Sequence, residues 1–125
     1  MQNELKVNQI KRGQIINVNF GECKGSVQSG VRPAVIIQNN TGNKFSPTTI
    51  VVPLTTKTKK KMPTHYKLQM DKYGFLLKDS VVLGEQIITI SKNQIIDIVG
   101  EVDVIDEREI FRKVAKSIGI TLPAV

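Results

Sequence analysis

One cysteine, one histidine and no tryptophan leave this chain of 125 residues with few of the usual chemical tools. Cys23, being alone, supports neither a disulfide framework nor a cysteine metal cluster. That fits a reducing compartment, most simply the cytoplasm. A single histidine and scattered acids supply no spaced ligand set, so no metal and no cofactor are expected. His65 is the only possible base of a nucleophilic triad. Its alternation with Lys67 and Gln69, against Tyr66, Leu68 and Met70, puts it on a face turned to solvent. No glycine-rich phosphate loop of recognised spacing appears. With four Phe, two Tyr and no Trp, a wide base-stacking platform is not expected, though one or two stacking positions remain. No apolar stretch approaches the length of a membrane span, and MQNELKVNQIKRG lacks a signal peptide's apolar core. No membrane association is expected.

What the chain does have is positive charge. A formal net charge of +7 and a pI near 9.7 favour polyanions, either nucleic acid or an acidic protein segment. The densest basic stretch is Lys57-Thr58-Lys59-Lys60-Lys61, which reads equally well as a solvated loop. With 40% hydrophobic and 23% charged residues, the composition is that of one folded domain over 1–125. Residues 1–10 read as an N-terminal arm.

Most of the pattern is strand. Gln14 to Phe20 alternates, with Ile16, Val18 and Phe20 on one face. Pro33 to Asn39 is nearly all apolar at first, and Pro47 to Thr56 is rich in β-branched residues. In the latter, Ile50, Val52 and Leu54 face one way, and Thr49, Val51, Pro53 and Thr55 the other. His65 to Met70 is a further strand, Val81 to Ile90 a long one bent at Gly84, and Ile96 to Val104 one interrupted at Gly100. A single helix follows, capped by Asp106 with Glu109 three residues on, apolar at Ile110, Phe111, Val114 and Ile118, and ended by Gly119. The sum predicts a mainly β fold: a small, curled antiparallel barrel with a C-terminal α-helix.

The segment GECKGSVQSGVRPAVIIQNN sets a polar loop against a buried strand and delivers one arginine to the strand's mouth. Arginine and hydroxyls suit phosphodiester chemistry on RNA, because the 2′-hydroxyl of the substrate is itself the nucleophile. The protein then has to hold the backbone in line and stabilise charge on phosphorus. A guanidinium clamps phosphate oxygens bidentately, and its pKa above ~12 favours an electrostatic role over proton donation. Arg32 is held extended by the proline after it. Thr55 closes the SPT strand, and antiparallel pairing of the two strands would bring both to one sheet end. By pattern alone a structural arginine is the stronger reading.

The segments KRGQIINVNF, GSVQSGVRPAVIIQNNTGNKFSPTTIVVPLTT, MPTHYKL and DSVVLGEQIITISKNQI resemble the MazF/PemK family of toxin endoribonucleases, in order, from Lys11 to Ile118. The resemblance implies an SH3-like barrel, a homodimer, and metal-independent, sequence-selective cleavage of single-stranded RNA. It places the family's catalytic arginine on Arg32 and its catalytic threonine on Thr55. Residues 21–30 become a lid, with Ser26 and Gln28 offering hydrogen bonds. Asn39, Ser80, Glu85 and Gln86 become base or sugar contacts, although Asn39 also fits a turn and Ser80 a strand end. A cognate antitoxin with an acidic, partly disordered tail is the implied partner.

Three positions depart from the family pattern: Val27 and Ser29 stand where relatives commonly read GSEQGG, and Ile88 replaces an arginine in EQIRTI. They bear on which bases are read. Two alternatives compete with the nuclease. A gyrase-directed toxin on the same fold would use a C-terminal tryptophan, which this chain lacks. A non-catalytic RNA-binding barrel would bind with steep salt dependence and leave RNA intact.

Overall fold

The computed structural model describes residues 9–22, 29–57 and 60–123. The β-branched stretches form β1 (Gln14–Asn19), β2 (Val31–Ile36), β3 (Thr48–Thr55), β4 (His65–Leu68), β5 (Ser80–Leu83), β6 (Ile88–Ser91) and β7 (Ile95–Glu101). They make one antiparallel sheet in the order β4-β5-β3-β2-β1-β7. The eight-residue β3 is the hub, since its second edge is shared: Thr48–Val51 pair with β6, and Leu54 and Thr55 with β5. The sheet is curled but open, because β4 and β7 do not pair. The expected barrel is therefore approached without closing.

Curling buries both faces. Ile15, Val35, Val52, Leu54 and Val82 pack beneath Ile110 and Val114 of a C-terminal helix, α2 (Val104–Ser117). Ile16, Val18, Ala34, Ile36 and Val51 fill the other side with Ile90 and Ile95. Ile10 joins this second cluster at 4% exposure, so the arm read from the sequence does not extend that far. Residues 1–8 lie outside the described ones.

Several boundaries differ from expectation. The long strand over Val81–Ile90 is two strands, because Gly84 turns the chain beneath α2. A side chain there would meet the Thr64 carbonyl at 2.6 Å and Lys113 Cβ at 3.0 Å. Val104 belongs to α2 and not to the last strand. The helix is capped by Asp103, whose carboxylate accepts from the Asp106 N–H at 2.8 Å, and not by Asp106. Asp106 turns inward instead, taking hydrogen bonds from Tyr66 (2.5 Å) and Tyr73 and an ion pair from Lys72 (3.0 Å). Gly119, at φ +82°, ends the helix as expected.

A short helix, α1 (Asn40–Phe45), was not visible in the apolar pattern because its one buried residue is polar. Asn43 Nδ2 donates to the Gln38 carbonyl at 2.9 Å, and its Oδ1 accepts from Thr49 Oγ1 at 2.7 Å. Lys92 Nζ donates to the Asn43 carbonyl. Asn43→Ala leaves Thr49 Oγ1 without its acceptor and the Gln38 carbonyl without its donor in a dry site, while the Lys92 bond, made to the backbone, survives. We expect a loss of about 2 kcal/mol, read as a lower urea midpoint with unchanged m value.

Candidate RNA-cleaving site

Two ladders bring the candidate residues together. β1 pairs with β2 so that Val18 faces Arg32. β2 pairs with β3 so that Val35 faces Val52 and Ala34 faces Pro53. Continued two positions, this register sets Arg32 opposite Thr55. The ladder stops short of that pair for a simple reason. The Ile37 N–H donates to Ile50 on β3, so by the strand's period of two the backbone of residue 33 also points at β3, and Pro33 has no N–H to give. Arg32 then turns its own backbone to β1, and the continued register would set it against Thr55 as a non-hydrogen-bonded pair, the kind whose side chains stand closest. Beyond them Thr55 faces Val81, and Val81 faces Lys67. One row, Val18–Arg32–Thr55–Val81–Lys67, thus crosses five strands on one face. Arg32 and Lys67 stand about 14 Å apart, three strand spacings.

The two central side chains are held differently. Arg32 is exposed, and its Nε donates to the Ser29 carbonyl at 3.2 Å, which steers the guanidinium at the loop's base. Thr55 Oγ1 accepts the Lys57 N–H at 3.1 Å and donates to the Lys57 carbonyl at 3.3 Å, a local turn that fixes its rotamer. Beside Thr55 opens a cleft of about 380 Å³ lined by Thr56, Lys61, His65, Lys67, Asp79 and Val81. Lys67 reaches Asp79 at 3.5 Å in the open. The Met70 N–H and then Lys67 hold the Asp79 carboxyl below its ordinary range.

The other sequence candidates disperse. Ser26 and Gln28, with Val27, lie outside the described residues. Asn39 sits past the opposite end of β2, roughly 20 Å from Arg32 along the strand. There its side chain caps α1, accepting from the Gly42 N–H at 2.8 Å. Ser80 pairs with Leu68, so it lies on the helix-covered face and not with Arg32 and Thr55. It is 5% exposed and donates to the Lys78 carbonyl at 3.1 Å, which removes it from the site. Glu85 is tied by both oxygens, to Thr64 Oγ1 at 2.9 Å and His65 Nε2 at 3.2 Å. Burial raises its pKa, but the backbone, Thr64 and His65 outweigh that and hold it below its ordinary value. Gln86 is half-buried in the β5–β6 turn, its N–H bonded to the Leu83 carbonyl at 3.0 Å.

His65 is the clearest correction. Its side chain is 9% exposed, because Glu85 and the wall of the cleft close over a position that alternation assigns to solvent. Lys67 was the residue the sequence did not single out. The alternation already put it beside His65, but only the register of four strands places it in line with Arg32.

The chain matches the model of the PemK-like, MazF-like toxin of type II toxin–antitoxin systems over residues 11–118. It is 40% identical over 117 residues to the endoribonuclease EndoA of Bacillus subtilis, covering 93% of this chain and 97% of that protein. It is 48% identical over 87 residues to the endoribonuclease MazF of Staphylococcus saprophyticus, covering 69% and 72% of the two chains. A solved mycobacterial endoribonuclease, in complex with its cognate antitoxin, superposes with a TM-score of 0.75 at 26% identity, over 91% of this chain and 99% of that one.

Proposed function

The chain belongs to the PemK-like, MazF-like toxin family, and from that premise we propose that it is an endoribonuclease that cuts single-stranded RNA at selected sequences without a metal. What supports this reading is the register of β2 on β3, with Ala34 facing Pro53, which continued two positions sets Arg32 opposite Thr55. The RNA 2′-hydroxyl oxygen attacks the adjacent phosphorus and the bond to the 5′-oxygen breaks. The products are a 2′,3′-cyclic phosphate and a 5′-hydroxyl, the proton lost by one oxygen being balanced by the one gained at the other. Arg32 neutralises the charge that grows on the phosphoryl oxygens, and its fork matches two of them. Thr55 hydrogen-bonds another oxygen, redirecting the proton it lends to Lys57. Lys67 and Lys61 line the path of the flanking backbone, a phosphate-positioning role without base information.

Sequence choice is assigned to the Ser26 hydroxyl and the Gln28 and Gln86 amides, groups that can read unpaired base edges. The protein works as the toxin of a pair, in the cytoplasm and as a homodimer. An acidic antitoxin segment silences it by covering Arg32.

Incubating the purified protein with a long unstructured RNA in EDTA tests the reading. Discrete cuts that survive the chelator and carry cyclic-phosphate ends are expected. RNA left whole by folded protein that still binds it would replace the nuclease with a recognition module.

A further inference from the structure

We infer that a second site lies on the far side of the molecule, where the C-terminal tail folds back along α2, and that it takes an acidic peptide segment with an apolar side chain beside its carboxylate. A cleft of about 440 Å³ opens there, lined by Arg12, Arg108 and Arg112, by the carboxylate of Glu107, and by apolar Phe111 and Leu122. Arg12 precedes β1, about 20 Å along the strand from the residue paired with Arg32. The helix also covers the opposite sheet face. The inference therefore stands apart from the RNA-cleaving reading.

The arginines are incompletely satisfied by the fold itself. Arg12 Nε lies 3.6 Å from Glu107, and Arg112 Nε 3.6 Å from Glu109. Both distances exceed hydrogen-bond reach, and both Nε atoms are buried with no acceptor. Arg112 spends another donor on the Pro123 carbonyl at 2.9 Å, which holds the tail as one wall. Arg108 is exposed and makes no hydrogen bond or ion pair among the described residues. Three guanidiniums meet two carboxylates, Glu107 and Glu109, with both closest Nε contacts beyond hydrogen-bond reach, and a forked donor prefers a carboxylate or phosphate.

The chemistry favours a peptide over RNA. Arg12 already lies 3.5 Å over the Phe111 ring, so no base can stack on that face. Glu107 repels a continuous phosphate backbone, whereas one carboxylate can approach Arg108 and Arg112 from the open side. Phe111 and Leu122 reward an apolar neighbour. A second copy is disfavoured, because a chain of net charge +7 would bring further cations to the same rim.

The test is fluorescence anisotropy with a short labelled peptide of alternating glutamate and leucine, and its glutamine counterpart, on the full chain. The glutamate peptide is expected to bind at least about tenfold tighter. Arg108→Glu should weaken it about tenfold or more, and the fold should be unaffected since Arg108 holds nothing in place. Arg108→Ala with Arg112→Ala should do the same, while in Arg32→Ala the binding that depends on Arg108 should persist. Binding lost in Arg32→Ala and kept in Arg108→Glu would move the peptide to the RNA groove and overturn the site. Equal binding of both peptides, or full displacement by unstructured RNA with Arg32→Ala present, would also overturn it.

Discussion

Arg32→Ala is expected to slow single-turnover cleavage of a short RNA by about 10²–10³-fold, the loss seen when one preorganised charge stabiliser is removed from a transition state. Arg32 is exposed, so its truncation creates no cavity, and the unfolding free energy from urea titration should stay within about 0.5 kcal/mol of wild type. Arg32→Lys should recover part of the rate, because an ammonium restores charge but not the planar fork. Thr55→Ala should cost less, about tenfold, as a neutral hydroxyl gives a weaker hydrogen bond to the same phosphoryl group. Cleavage by Arg32→Ala at the wild-type rate, with the same ends, would remove Arg32 from the chemistry.

The site was legible only as far as local pattern reaches. Arg32 and Thr55 each stood out in one strand, and the alternation of β3 already put Thr55 with Val51, on the face that Arg32 shares through Ala34 and Ile36. Their pairing depends on register, which no single strand encodes. The same holds for Lys67, three strands away. Ser80 shows the opposite failure. A serine at a strand start is exposed by composition, but its pairing with Leu68 turns it under the helix. His65 and Asp106 fail for one reason. Each is a polar residue whose burial is made possible by a distant partner, Glu85 for the first and two tyrosines for the second. Helix α1 was missed likewise, because Asn43 is anchored by hydrogen bonds where a periodicity search looks for apolar side chains.

Asp106→Ala is expected to be the most destabilising single change outside the apolar core. The carboxylate is 9% exposed and joins three elements: Tyr66 from β4, Tyr73 and Lys72 from the loop after it, and its own helix. Without it two largely buried phenols lose their acceptor, and we expect about 3 kcal/mol to go from the unfolding free energy. Asp106→Asn keeps the shape and should lose less. The variant also sets a pH signature. Burial raises the Asp106 pKa, but the bonds from Tyr66, Tyr73 and Lys72 outweigh it and hold the carboxyl below its ordinary value. A folded-state pKa that is depressed contributes stability in full above the unfolded value of about 4, and that contribution drains away as the pH falls through the folded one. The gap between wild type and Asp106→Asn should therefore be widest near neutrality and narrow in acid below about pH 4. At the other end burial, and then the bond to Asp106, push Tyr73 up to about 12. A raised tyrosine contributes fully below its unfolded value of about 10 and loses that contribution as the pH climbs through the folded one. Urea midpoints measured from acid to alkaline pH would show this. A gap that stayed constant across the acid range would mean that the carboxylate's charge does not hold the helix, and that packing around Ile110 and Val114 does.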